Sequence, residues 1–186
     1  ETAPAAANSD YFKDDGGKII KWREARLGPK AVGVPGTLHL LHTVHQRFGN
    51  HSWADLFAPA IALSRKGFSV SPRMAKSIKG AQASLQRFKA TREYFFTEQG
   101  NPLPAGHHLT NRAFAKTLEI IANEGITPFY EGVIGARLIE SLKGDSTKPS
   151  LMTSQDLAEY ATLSRPPVCA RYRGKAVCGM GPPSSG

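Results

Sequence analysis

Before residue 37 the apolar positions follow no period. Thr2-Ala3-Pro4-Ala5 reads as extended chain, and Asp14-Asp15-Gly16-Gly17 and Gly28-Pro29 read as turns. Ala31-Val32-Gly33-Val34 predicts a short strand halted by Pro35-Gly36. Leu38, Leu41, Val44 and Phe48 then recur at three- and four-residue steps. That spacing predicts an amphipathic helix from Thr37 to Phe48, closed by Gly49.

Five further helices start and stop with agreeing signals. Ser52 to Asp55 has capping-box form, with Ser52 accepting from a first-turn amide and Asp55 reaching back. Leu56, Ala60 and Leu63 carry that helix to Gly67, and Pro59 falls early enough in it that its missing amide does little harm. Ser71-Pro72 pairs an N-cap with a first-turn proline and opens a helix to about residue 90. Phe114, Leu118 and Ile121 mark one over 110–123, ended by Gly125. Thr127-Pro128 repeats the cap-plus-proline signal and leads through Phe129, Val133, Leu138 and Leu142 to Gly144. Thr153 to Asp156 caps a short helix over 157–163.

The pattern then shortens to β-type runs, Val168 to Tyr172 and Lys175 to Gly179, around Arg173-Gly174: a hairpin. A two-residue loop sets Cys169 opposite Cys178 in a non-hydrogen-bonded pair, which suits a cross-strand disulfide. A three-residue loop with Gly174 in the left-handed position separates them and leaves two reduced, buried thiols. Arginine before glycine fits the longer loop at least as well, because arginine disfavours positive φ. Both readings stay open.

These elements predict a mainly α chain with a few short strands at its two ends. It reads as a single segment: an extended, turn-rich lead-in over 1–36, a helical body over 37–163, and a hairpin with a terminal loop over 164–186. Its 186 residues suffice for a core, and 40% hydrophobic residues exclude a disordered tail. Two cysteines exclude a disulfide scaffold, and apolar runs of a few residues exclude a membrane-spanning helix. With neither an initiator Met nor a signal sequence, the chain looks excised from a longer one. The net charge of +9 suggests nucleic acid, but the basic residues come as singletons and doublets. Lys66, Arg73, Lys76, Lys79, Arg87, Lys89 and Arg92 read as one solvated helix face, so no nucleic-acid partner is expected.

Candidate chemistry is sparse. His39, His42 and His45 recur every three residues, and each step drifts about 60° around a helix, so they spiral instead of converging on a metal. His107-His108 sits in a loop and is expected to be exposed. Gly33-Val34-Pro35-Gly36-Thr37 joins a strand to a helix N-terminus, where amides can hold an anion, but it lacks the P-loop lysine and reads as a tight turn. Asn50-His51-Ser52 matches a glycosylation sequon, yet Ser52 is better used as a cap. Ser184-Ser185-Gly186 has turn composition before it has that of a nucleophile. No catalytic, substrate-binding or metal residue and no cofactor is assigned.

Eight short segments in order carry a resemblance. They are Glu1-Thr2-Ala3-Pro4-Ala5-Ala6-Ala7, Val32-Gly33-Val34-Pro35-Gly36-Thr37, Pro59-Ala60-Ile61-Ala62-Leu63 with Gly67-Phe68, and Leu118 with Ile121-Ala122 and Gly125. Pro128-Phe129-Tyr130-Glu131-Gly132, Asp156-Leu157-Ala158-Glu159-Tyr160, Tyr172-Arg173-Gly174 and Pro182-Pro183-Ser184-Ser185-Gly186 complete the set. Together they resemble the middle of the large subunit of the γ-glutamyltranspeptidases. The resemblance implies part of an αββα N-terminal-nucleophile hydrolase fold, in a precursor that cleaves itself into large and small subunits. A threonine exposed at the start of the small subunit then attacks a γ-glutamyl carbonyl, and water or an amino acid resolves the acyl-enzyme. It also implies that this threonine lies downstream of Gly186, that the arginine gripping the substrate α-carboxylate directly precedes Glu1, and that the oxyanion hole belongs to the small subunit. The implied partners are a γ-glutamyl small molecule, the rest of the large subunit and the small subunit. The implied location is periplasmic or extracellular, and the isolated segment is expected to be inactive and to self-associate through exposed apolar faces. Gly181 after Met180 departs from the family's usual proline. A cephalosporin-acylase-like amidohydrolase is the alternative within the superfamily, and a basic helical module for an acidic partner the alternative outside it.

Overall fold

The computed structural model describes residues 2–144 and 149–181. Glu1 and the terminal residues 182–186, with Ser184 and Ser185, lie outside them. The helices run α1 Trp22–Ala25, α2 Thr37–Phe48, α3 Trp53–Lys66, α4 Pro72–Gly80, α5 Gln82–Leu85, α6 Lys89–Phe95, α7 Arg112–Glu124, α8 Thr127–Tyr130, α9 Val133–Lys143 and α10 Ser154–Ala158. Two antiparallel pairs complete the described chain: β1 Phe68–Ser69 with β2 His108–Leu109, and β3 Val168–Tyr172 with β4 Lys175–Gly179.

Where cap and period agree, the helices form as expected. α2 has the expected bounds, and the Ser52 and Ser71 hydroxyls accept from the Asp55 and Met74 amides at the starts of α3 and α4. The helix expected over 110–123 runs Arg112–Glu124, capped by Asn111, which accepts from the Phe114 amide at 2.9 Å.

Three expected elements come apart. The helix expected from Ser71 to about residue 90 stops at Gly80 and yields α4, α5 and α6. Its carbonyls are taken by side chains: Thr91 Oγ1 donates to Leu85 O and Arg92 to Gln86 O, which a continuing helix would bond through Lys89 and Ala90. The basic face expected along one helix is therefore broken between Lys79 and Arg87. The run from Thr127 to Gly144 splits at Gly132, where an added Cβ would sit 2.8 Å from Pro128 Cα, so glycine is what lets the chain turn back there. The helix expected over 157–163 instead spans Ser154–Ala158, because Thr153 is the N-cap itself. The strand expected at 31–34 is also not formed. Pro29–Ala31 closes a 3₁₀ turn, and Val34 makes only an isolated bridge to Thr2.

Two small cores result. Val34, Tyr130, Ile139, Leu142, Met152 and Leu157 bury together beneath α8, α9 and α10. Val70, Ile78, Phe96, Leu103 and Leu109 bury around the β1–β2 pair. At that pair Gly67 has φ 82°, and an added Cβ would meet Leu109 O at 2.6 Å, so this position needs glycine both for conformation and for space. α3 packs along α7: the Trp53 indole donates to Ile121 O at 2.9 Å, and Arg65 pairs with Glu119 at 2.5 Å.

Of the α2 stripe, Leu38 packs against the first core while Leu41, Val44 and Phe48 face outward. Leu41 is 54% and Phe48 67% exposed, whereas His39, His42 and His45 are half-buried. On α3, Leu56 and Leu63 are likewise exposed, while Trp53, Phe57 and Ile61 lie toward the interior.

Candidate functional site

The densest polar network gathers where the lead-in meets the helical body. Pro35-Gly36 turns the chain into α2, and the first-turn amides of a helix lack intrahelical acceptors. One of them, His39 N–H, donates to Tyr130 Oη at 3.0 Å, and the same hydroxyl donates to Pro35 O at 2.7 Å. The anion-binding amide of this turn is therefore already occupied by a side chain from α8. His39 Nδ1 lies 2.8 Å from Thr162 Oγ1, and the His39 ring meets Tyr130 and Tyr160 edge-on. Burial pushes the Tyr130 hydroxyl above its usual value, against the pull of the His39 amide and with the help of Tyr160. It stays protonated and keeps its donor role.

The other two histidines go elsewhere. His42 and His45 pack edge-on against Trp53, each with ring centroids 5.2 Å away. His45 Nε2 donates to His51 O at 2.9 Å. Burial, and then the charges of His39 and His45, hold the His42 imidazole below its usual 6.5. The three rings serve three different contacts. His107 and His108 are exposed as expected, but His108 belongs to β2 and its Nε2 donates to Lys66 O at 2.7 Å. Among the described residues no group of three or more His, Cys, Asp or Glu side chains could hold a metal ion.

The second half of the network fixes the chain's beginning. Val34 N–H donates to Thr2 O at 2.8 Å, and Ala5 N–H donates to Asp156 Oδ1 at 2.7 Å. The other oxygen of the same carboxylate accepts from Thr153 N and Thr153 Oγ1, completing the capping box of α10. Partial burial pushes the Asp156 carboxyl up, but the Ala5 and Thr153 hydrogen bonds outweigh it and hold the group below its ordinary value of 3.8. Its cap role is legible in sequence. Its grip on Ala5, 151 residues away, has no local signal.

A test follows from that geometry. Asp156→Asn should cost about 1–2 kcal/mol at neutral pH, the worth of a cap plus a charge-assisted hydrogen bond. A carboxyl depressed in the folded state stabilises above its unfolded value and loses that contribution as pH falls through the folded value. Urea midpoints of the two proteins should thus converge as pH falls through the folded value of Asp156, which lies below 3.8. A gap that persists unchanged in acid would remove the charge from the explanation.

The hairpin carries the two cysteines. β3 and β4 pair with Cys169 opposite Cys178, Cα atoms 4.1 Å apart, and their sulfurs are joined. The loop is the two-residue one. Arg173 takes φ 49° and Gly174 φ 75°, so arginine accepts the left-handed conformation that argued for the longer loop.

This arrangement anchors chain segments and presents no acid–base pair in a cavity. The sequence model of the gamma-glutamyltranspeptidase family matches residues 1–186. The chain belongs to the gamma-glutamyltranspeptidase family. It is 34% identical over 186 residues to the glutathione hydrolase proenzyme of Bacillus subtilis, covering all of this chain and 31% of that protein. It superposes on the Helicobacter pylori gamma-glutamyltranspeptidase with a TM-score of 0.91 at 30% identity, over all of this chain and 52% of that one. The Bacillus halodurans cephalosporin acylase is more distant, with a TM-score of 0.73 at 25% identity over 84% of this chain and 30% of that one. The chain therefore spans about a third of the B. subtilis protein and half of the H. pylori chain. Its mostly helical architecture is a part of the N-terminal-nucleophile hydrolase fold to which gamma-glutamyltranspeptidases belong.

Proposed function

We propose that this chain is the structural centre of the large subunit of a γ-glutamyltranspeptidase-like enzyme, a protein that hydrolyses or transfers the γ-glutamyl group of glutathione and related compounds through a threonine acyl-enzyme. The observation that carries the reading is the family match along the entire chain together with the full-length superposition on the H. pylori enzyme. The division into a lead-in over 1–36, a helical body over 37–163 and a hairpin with terminal loop over 164–186 belongs to the same proposal. So does a periplasmic or extracellular setting, where a disulfide between Cys169 and Cys178 would persist.

In this reading the chain contributes position, not chemistry. By the resemblance, the substrate-binding arginine precedes Glu1, and the Thr2–Val34 and Ala5–Asp156 hydrogen bonds hold the residues that follow it to the body. The outward apolar stripes of α2 and α3 are surfaces for the rest of the large subunit and the small subunit, and self-association of the isolated chain would use the same stripes.

The test compares the self-processed product of the complete gene with the isolated chain, on a γ-glutamyl anilide and on a cephalosporin-type amide. The complete product should release the aniline and the isolated chain should not. Preference for the cephalosporin side chain would transfer the assignment to the acylase reading, which the B. halodurans superposition supports. Turnover by the isolated chain, abolished by a substitution within it, would overturn the positional role.

A further inference from the structure

The lead-in is tied to the body at Thr2 and again at Ala5. Thr2 O accepts from Val34 N–H at 2.8 Å, and Ala5 N–H donates to Asp156 Oδ1 at 2.7 Å. Pro4, between the two ties, is buried. Both anchors stand on one core: Val34 and Leu157, the neighbour of Asp156, are each 1% exposed in the same cluster. A stretch held at one point pivots, whereas a stretch held twice on one rigid body has a fixed direction. These bonds join parts of this chain to one another, so they do not depend on what covers its outer faces.

The second tie calls for a carboxylate. Oδ1 of Asp156 takes Ala5 N–H, and Oδ2 takes Thr153 N–H and Thr153 Oγ1, so both oxygens accept. Asparagine has one acceptor oxygen and would turn its NH2 toward an amide donor. Space governs the first tie, because a Cβ at Gly33 would lie 3.2 Å from Thr2 O. We infer that Asp156 is a positioning residue for recognition of the substrate α-carboxylate, acting through Ala5 on the stretch that leads to the carboxylate-binding arginine. The inference rests on the γ-glutamyltranspeptidase reading above, which places that arginine directly before Glu1. Such a residue is two positions from Thr2, so its Cα lies within about 7 Å of the Thr2 Cα. With Ala5 released, the stretch pivots on the single Thr2–Val34 bond. A guanidinium grips a carboxylate through parallel N–H donors of fixed geometry, so a rotated backbone weakens the grip. A grip equal in ground and transition states raises KM when it is lost and leaves kcat alone.

The experiment measures KM and kcat of the self-processed product of the complete gene. The substrates are a γ-glutamyl anilide and a γ-aminobutyryl anilide, which lacks the α-carboxylate. Asp156→Asn should raise KM for the γ-glutamyl anilide about fivefold or more, the worth of one charge-assisted hydrogen bond, with kcat unchanged. Its kcat/KM for the γ-aminobutyryl anilide should equal that of the parent. Ser71→Ala removes a different helix cap, that of α4, and should leave both KM values alone. Gly33→Ala presses on Thr2 O at the other tie and should raise the γ-glutamyl KM by a smaller factor. It carries the test if the Asp156→Asn product does not fold or process. An unmoved γ-glutamyl KM in the variant that carries the test would overturn the inference. So would an equal loss on both anilides, which would make the tie a general support of the fold. A parent product that leaves the γ-glutamyl anilide intact would remove the functional reading and this inference with it, whereas an active parent with an unmoved variant KM removes the inference alone.

Discussion

Replacing Tyr130 by Phe should destabilise the chain by about 2 kcal/mol, because it leaves two backbone groups unpaired in a half-buried site. Tyr130 is 5% exposed, and its hydroxyl serves both Pro35 O and His39 N–H. Phenylalanine keeps the ring contacts with His39 and Tyr160 and removes only the bridge. Tyr130→Ala removes the ring as well and should cost about 3–5 kcal/mol, the range for large-to-small changes of aromatic residues in a core. Urea denaturation followed by circular dichroism separates the two steps. A Phe variant within about 0.5 kcal/mol of the parent would show that water serves the two backbone groups as well as the hydroxyl does. The pH dependence has a definite sign. A phenol raised in the folded state contributes stability below its unfolded value of 10.0 and loses it as pH rises through the folded value, so the parent should weaken in strong base faster than the Phe variant.

Tyr130 also marks where sequence reading stops. The helices were legible because caps and apolar periods are local signals: Ser52, Ser71 and Thr153 hold amides three residues on, within one turn. The breaks in the long helices were not, because they depend on which distant group claims a carbonyl. Nothing between Ser71 and Ala90 announces that Thr91 and Arg92 will take the carbonyls of Leu85 and Gln86. The two-residue strands β1 and β2 are too short to show alternation, and their pairing is set by how α3 and α7 bring Gly67 to Leu109. The candidate site divides in the same way. The capping role of Asp156 follows from its spacing to Thr153, whereas its hold on Ala5 requires the fold.

The outward faces of α2 and α3 have the same origin. Periodicity reports that a helix has an apolar stripe, not what that stripe meets. On α2 the three histidines are half-buried beside Leu38 and Thr43, because imidazoles can both stack on Trp53, Tyr130 and Tyr160 and satisfy polar groups such as Thr162 Oγ1 and His51 O. Leu41, Val44 and Phe48 stay exposed on the opposite side. An apolar stripe of that extent on a chain that spans about a third of its B. subtilis relative supports the proposal that other parts of the parent enzyme cover it.

Gly135→Ala should cost about 2–3 kcal/mol even though alanine is the better helix former, the range for overpacking a well-filled site. In α9 the exchange gains about 1 kcal/mol of helix propensity. Against that, a Cβ at position 135 would lie 2.4 Å from Phe129 O and 3.2 Å from Leu157 Cδ1. The first contact is with backbone and no rotamer change relieves it. α9 would have to slide away from α8, loosening the core that buries Leu157 to 1% and Tyr130 to 5%. Gly80 is the control. It ends α4 with nothing within 4 Å of an added Cβ, so Gly80→Ala should leave stability unchanged or raise it by up to about 1 kcal/mol. Opposite signs from the same substitution, read as shifts in urea midpoint, would show that close approach and not backbone entropy keeps glycine at 135. A Gly135→Ala protein as stable as the parent would mean that α8 and α9 have room to separate, and that the tight crossing at Gly132 and Gly135 does not determine how Tyr130 reaches the start of α2.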